Sequence, residues 1–189
     1  MLDGAITDLE RCRAELLRST LTPERCDWQG SVGQGLQLKV VVTSVSDAAV
    51  QEQLQRLEQL GQSHGLTSHQ QPCSDRRNNG LTCSAPTWLV RIMLPPAKVS
   101  LLLQSPEISA LNRWTWDLAA GAGCGDGWSN GASEAFKVNA LRRRVIELGG
   151  ALTVLVQPPS AAIPAWLDTP ARPAVSYTHL RAHETKKHR

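Results

Sequence analysis

LNRWTWDLAAGAGCGDGW, residues 111–128, alternates strictly through Ala119. Trp114, Trp116 and Leu118 fall on one side of an extended chain, and Arg113, Thr115 and Asp117 on the other. Gly121–Gly127 then reads as a glycine-rich turn, and the piece around Trp128 as a short strand returning in a hairpin. A phosphate loop needs a strand before the glycines and a helix directly after them. Here another strand-like piece intervenes, and no Gly-Lys-Ser/Thr follows. The run is therefore a place where backbones approach closely, in a sheet that is at least partly antiparallel.

Other elements fall on either side of this hairpin. Leu2–Arg18 is expected to be an amphipathic helix that Pro23 closes off. A short apolar piece around Trp28 follows, then a turn region at Gly30, Gly33 and Gly35. Leu36–Val45 is rich in β-branched residues and reads as a strand. Ser46 is placed to cap a helix over Asp47–His64, which Gly65 stops. Residues 64–86 read as a polar surface insertion with a turn at Asn78-Asn79-Gly80. Trp88–Leu94 is a second strand, and Pro96 opens a short helix through Leu103. Beyond the hairpin, Ser133 is expected to cap a helix through Leu148, ended by Gly149-Gly150. Leu152–Val156 is a last strand. The order implies an α+β fold, a single mainly antiparallel sheet flanked by helices. No repeat is evident in the sequence.

Charge and cysteine content exclude several classes. The chain of 189 residues has a formal net charge of +3, and the whole excess lies in Val175–Arg189, where four basic side chains face one acid. The other 174 residues carry sixteen of each sign, so no basic nucleic-acid surface is expected. No apolar run is long enough to span a membrane, and the acidic N-terminus is unlike a signal peptide. Five cysteines without an export signal point to reduced thiols in a cytoplasmic setting.

Several segments together carry a family likeness. LLRSTLTPERCDW (16–28), EQLQRLEQLGQSHGL (52–66), WLVRIMLPPAKVSLLL (88–103), RWTWDLAAGAGCGDGW (113–128) and LRRRVIELGGALTVLVQPP (141–159) occur in the order seen in one family. That series resembles the C-terminal half of FAD-linked oxidases, nearest to the FAD-binding second subunit of glycolate oxidase, of cyanobacterial type. The resemblance implies a cap of ferredoxin-like character over a flavin, in a parent that oxidises a 2-hydroxy acid to a 2-oxo acid. It implies as partners an FAD-binding half and other glycolate oxidase subunits, including an iron–sulfur subunit, which would hold the assembly peripheral to a membrane. Two family features are missing, the N-terminal FAD-binding half and a C-terminal FDP…NPGR-like segment, so no FAD is expected on this chain by itself. VSYTHLRAHET (175–185) resembles the in-frame translation of a transposase-type sequencing adapter. On that reading residues 175–189 are an artefactual tail after a Pro/Ala linker at 169–174, with residues 1–24 a helix and linker and 25–168 the cap. A free-standing ferredoxin-like regulatory or small-ligand-binding module is the alternative.

Candidate site residues follow from chemistry. Arg91 and Arg113 carry guanidinium forks able to grip the carboxylate of a 2-hydroxy acid. Surface ion pairing is the plainer reading of both. Asp126 and Asp117 are candidate acid–base groups. Trp114 and Trp116 offer ring faces to a flavin or substrate, against an ordinary role in the sheet core. His64, His69, Cys73 and Cys83 lack the close cysteine pair of a zinc knuckle and are expected to be unligated. Arg142-Arg143-Arg144 reads as a solvated helix face.

Overall fold

A computed structural model of the chain describes residues 1–71, 87–131 and 135–166. The Asn78-Asn79-Gly80 turn, Cys73, Cys83, the Ser133 cap, the 169–174 linker and the 175–189 tail lie outside the described residues.

The first half runs β1 (Leu2–Asp3), α1 (Ile6–Leu16), β2 (Arg25–Ser31), β3 (Gly35–Val41), α2 (Asp47–Ser63) and β4 (Thr67–Ser68). The second runs β5 (Trp88–Met93), a 3-10 turn at Pro96–Lys98, α3 (Val99–Leu103), α4 (Pro106–Ala110), β6 (Thr115–Ala119), β7 (Cys124–Ser129), α5 (Ala135–Glu147) and β8 (Ala151–Val156). All eight strands form one sheet in the order β4-β1-β3-β2-β6-β7-β5-β8, and every pairing is antiparallel. The α+β expectation is met.

The order contains a repeat that the residues themselves hide. Each half is a βαββαβ unit, the ferredoxin-like arrangement, with its strands ordered fourth, first, third, second. The units abut through their second strands, β2 and β6. One cross-strand row runs Thr67, Asp3, Gln37, Gln29, Asp117, Asp126, Arg91, Thr153. A twofold axis through the Gln29–Asp117 pair superposes the two halves of this row strand for strand. The same rotation carries Trp28 onto Trp116 and Leu2 onto Val90.

The strand residues next in register to that row point the other way, into a single core under the helices. Trp28, Leu38, Trp88, Val90, Ile92, Trp116 and Leu118 are buried with Leu9 and Leu16 of α1 and Val138, Leu141 and Val145 of α5. Because one core serves both units, the helices share one face of the sheet. Trp116 determines the packing at its centre. Its ring lies on Gly127, its cross-strand neighbour, where a Cβ would collide with the six-membered ring. A Cβ on Gly125 would strike the Asp117 carbonyl. The alternating glycines of β7 are therefore strand residues that make room, and only Ala120–Gly123 is turn.

Four sequence expectations need correction. Leu2–Asp3 is a strand, not the start of a helix. Leu2 fits under the sheet beside Leu38, and the helix begins beyond Gly4 at Ile6. Arg25–Ser31 is a full strand paired on both sides. The supposed insertion at 64–86 begins with structure, since Leu66 is buried and Thr67–Ser68 form edge strand β4. Arg142 is not solvated: it is 1% exposed, and its Nη2 donates to the Pro164 and Ala165 carbonyls at 2.7 and 3.3 Å. Its Nε and Nη1 are buried with no hydrogen-bond partner among the described residues. Burial lowers the pKa of this guanidinium. Two strands keep their place but are shorter than read: β3 ends at Val41 rather than Val45, and β6 begins at Thr115 because residues 111–113 form a turn. The bounds of α2 fall as read: Ser46 caps it by accepting from the Ala49 N–H at 3.3 Å, and Gly65 takes the left-handed φ of +70° that stops it.

Two stability predictions follow. Gly127→Val should cost about 1–3 kcal/mol by overpacking against Trp116, whereas Gly121→Ala, which meets no atom within 4 Å, should be near neutral; urea denaturation of both variants checks this. Arg142→Met should be milder than Arg142→Ala in the same measurement. Methionine refills the volume and buries no unmet donors, while alanine also leaves a cavity.

Candidate functional site

Among the described residues, the helices cover one face of the sheet and leave the other bare, and that bare face is the candidate site. Its central row is polar throughout. Arg91 projects from it and forms a two-point ion pair with its cross-strand neighbour Asp126, with Nε–Oδ1 at 2.8 Å and Nη2–Oδ2 at 3.1 Å. The pair is more than one-third exposed on the arginine side, so its contribution to stability is small. Its effect is orientation, because two parallel bonds fix the plane of the guanidinium. The Asp126 bond, ahead of simple charge attraction, raises the pKa of Arg91. Asp117 sits opposite Asp126 on the next strand, which brings two carboxylates and one guanidinium side by side.

The flanking rows are less polar. Met93 lies opposite Cys124 and is 60% exposed, while Leu89 lies opposite the half-buried Trp128. A charged central row bordered by a methionine and a tryptophan is a surface suited to covering something both polar and flat.

The five candidates separate. Arg91 and Asp126 meet on the bare face. Arg113 is exposed two residues ahead of β6, about 13 Å of strand rise from the Arg91 level. The two guanidiniums therefore do not make one fork. Trp114 and Trp116 are 1% and 0% exposed, stacked with centroids 5.6 Å apart, and Trp88 lies 6.2 Å from Trp114. They form the core on the opposite side of the sheet, so neither offers a face to a ligand. The tryptophan that does reach the bare face is Trp128. Its register with Thr115, read from the length of the turn, was the available signal.

The glycine run is closed into the β6–β7 hairpin, with the Gly123 N–H donating to the Ala119 carbonyl, so it offers no phosphate cradle. Nor do the described residues gather three or more metal-ligating side chains. His64 turns to Glu15, with Nε2–Oε2 at 2.9 Å, and His69 lies near Asp3 at 3.7 Å. No described helix is long and apolar enough to cross a membrane.

Against known proteins, the chain matches no family model, no curated protein and no solved structure.

The described cysteines are reduced and differ in environment. Burial, helped by Glu15, pushes the Cys12 thiol up to about 11. Burial, partly opposed by Arg13, pushes Cys26 up to about 12. Cys124 stands half-exposed on the bare face. At pH 8 iodoacetamide should therefore modify Cys124 well before Cys12 and Cys26, read site by site by mass spectrometry. Raised thiol pKa values stabilise the fold fully below the unfolded value of 9.0. That stabilisation is lost as pH rises from there through 11 and 12, at up to about 1.4 kcal/mol per pH unit for each thiol. A Cys12→Ala/Cys26→Ala chain should show a flatter alkaline decline in urea midpoint.

Proposed function

We propose that this chain is the cap half of a glycolate-oxidase-type FAD-linked oxidoreductase, whose whole assembly oxidises a 2-hydroxy acid to a 2-oxo acid. The observation that carries this reading is the bare face of a duplicated ferredoxin-like sheet, polar along its middle row and edged by Met93 and Trp128. A sheet with helices on one side only presents the other as a wall for something to rest against. The ferredoxin-like character implied by the family resemblance supports the same assignment.

In this reading the partner half would hold a flavin, which would supply the hydride acceptor, while the present chain covers and orients. Arg91 spends Nε and Nη2 on Asp126 and keeps Nη1 for an incoming carboxylate. Asp126 holds the guanidinium plane, and Asp117 beside it limits how many negative groups the face accepts. The partners are the FAD-binding half and an iron–sulfur subunit that removes electrons. The location is the cytoplasm, peripheral to a membrane through those subunits.

The test is co-expression of the chain with the FAD-binding half of a glycolate-oxidase-type subunit. Purified alone, the chain should show no flavin absorbance near 450 nm. Co-expressed, it should co-elute with the flavin-bearing half and perturb the visible flavin spectrum. Arg91→Ala should retain the complex but raise the KM for glycolate by about tenfold or more, the scale of one lost charged contact. Separate elution of the two halves would refute the assignment.

A further inference from the structure

β8 ends the sheet, with β5 on its inner side. Its outer edge meets the chain's own continuation. After Val156 the backbone turns through residues 157–162 and comes back alongside, where the Val154 N–H donates to the Ala165 carbonyl at 3.1 Å. Residues 163–166 thus form a strap over the edge, and among the described residues that is its one main-chain bond to β8. Pro164 in its middle has no N–H to offer. A side chain supplies the other hold: Gln157 Nε2 donates to the Ile163 carbonyl at 2.8 Å, and its Oε1 accepts from the Ile163 N–H at 3.0 Å. The Ile163 side chain is buried in the core. Ala162, which leads into the strap, has a φ of +45°, in the left-handed region that alanine disfavours. The strap is therefore seated by few main-chain bonds and entered through a strained residue.

Against this strap lies the buried guanidinium of Arg142 on α5. Only its Nη2 is satisfied, by the Pro164 and Ala165 carbonyls. Its Nε and Nη1 are buried and meet no acceptor among the described residues. Two carbonyls solvate a charge in part and do not neutralise it. A buried cation is ordinarily matched by a carboxylate, because the interior does not screen it. Glu107 of α4 and Glu147 of α5 make no bond to it; Glu147 turns to Arg144 instead.

The guanidinium plan says what is missing. Nε and Nη1 each form a fork with Nη2 that matches the two oxygens of a carboxylate. A carboxylate in the place of the Pro164 and Ala165 carbonyls would meet Nη2 and one of the unmet N–H groups together. The strap cannot supply it, since its sequence is Ile163, Pro164, Ala165, Trp166.

We propose that the outer edge of β8 is a docking site for an extended peptide segment that carries an acidic side chain, and that residues 163–166 are its internal stand-in. The incoming segment displaces the strap, accepts from the Val154 N–H with its own carbonyl, and sets its carboxylate on Arg142. Residues two apart in an extended chain share a side, which gives the pattern. An aliphatic residue takes the place of Ile163, any residue follows, and Asp or Glu takes the place of Ala165. Main-chain bonds supply affinity, and the aliphatic and acidic positions supply selectivity. A second copy does not fit through this segment, because 163–166 holds no acid. This inference is independent of the flavin reading.

The probe is the peptide acetyl-threonyl-isoleucyl-threonyl-glutamyl-threonine amide, titrated calorimetrically into the full chain. Saturable binding is expected, and the same peptide with glutamine for glutamate should bind about tenfold or more weakly, the scale of a lost buried charge pairing. The Ile163 amide, released from Gln157 as the strap leaves, should exchange about tenfold or more faster in the complex, while the Val154 amide keeps its protection. Gln157→Ala loosens the strap and should tighten binding about threefold, since less of the chain is then in the closed form. In Arg142→Met the two peptides should bind alike. If that variant does not fold, the two peptides and the Ile163 exchange in the unaltered chain decide alone. No saturable binding, equal affinity of the unaltered chain for the two peptides, or unchanged exchange at Ile163 in the complex would each overturn the proposal.

Discussion

The pairing of β2 with β6 is the constraint on which the rest of the molecule depends. Each ferredoxin-like unit taken alone would expose its second strand as an unpaired edge, with a row of backbone donors and acceptors open to any other strand. Joining the two edges satisfies both and merges two small cores into one. The larger core buries Trp28, Trp88, Trp114 and Trp116 completely, which a four-stranded unit of about eighty residues would be hard pressed to do. The merger also imposes the twofold relation and places the Gln29–Asp117 pair at the centre of the bare face. The Arg91–Asp126 ion pair and its apolar borders take their positions from that centre.

The two units differ in detail along the same frame. Where the first unit has Leu38 in β3, the second has Gly127, and the Trp116 ring occupies the space that the missing side chain vacates. Differences of this kind at equivalent positions keep the structural repeat from showing as a residue pattern.

Much of the local structure was legible because it rests on local physics. Alternation identified β6, β-branched content identified β3, and Ser46 with Gly65 bounded α2. The bland readings of Trp114 and Trp116 as core, and of the glycine run as a close backbone approach, describe where these residues lie. Elements that rest on distant partners were not legible. Leu2–Asp3 is too short to show a period and is a strand only because Leu38 and Ser68 flank it. RCDWQGS in β2 mixes charge, glycine and tryptophan, and Asp27 and Ser31 are buried on the face opposite Trp28, so neither face alternates cleanly. Arg142 could have been found, since Val138, Leu141, Arg142 and Val145 share one helical face. Its charge and its two arginine neighbours masked that spacing. The Arg91–Asp126 contact joins residues 35 positions apart and depends on the β5–β7 register, which no segment specifies by itself.

The sequence by itself determined the α+β class, most of the helices and strands, the hairpin at its centre and a neutral body with a basic end. Caps, turns and side-chain periodicity act over a few residues, so a linear reading reaches them. Tertiary structure alone decided the structural repeat, the seam between β2 and β6, and the bare face with Arg91 and Asp126 paired on it. Each of these arises from strand order and register. They are set by how two cores close against each other across the chain, and that closure leaves no mark on neighbouring residues.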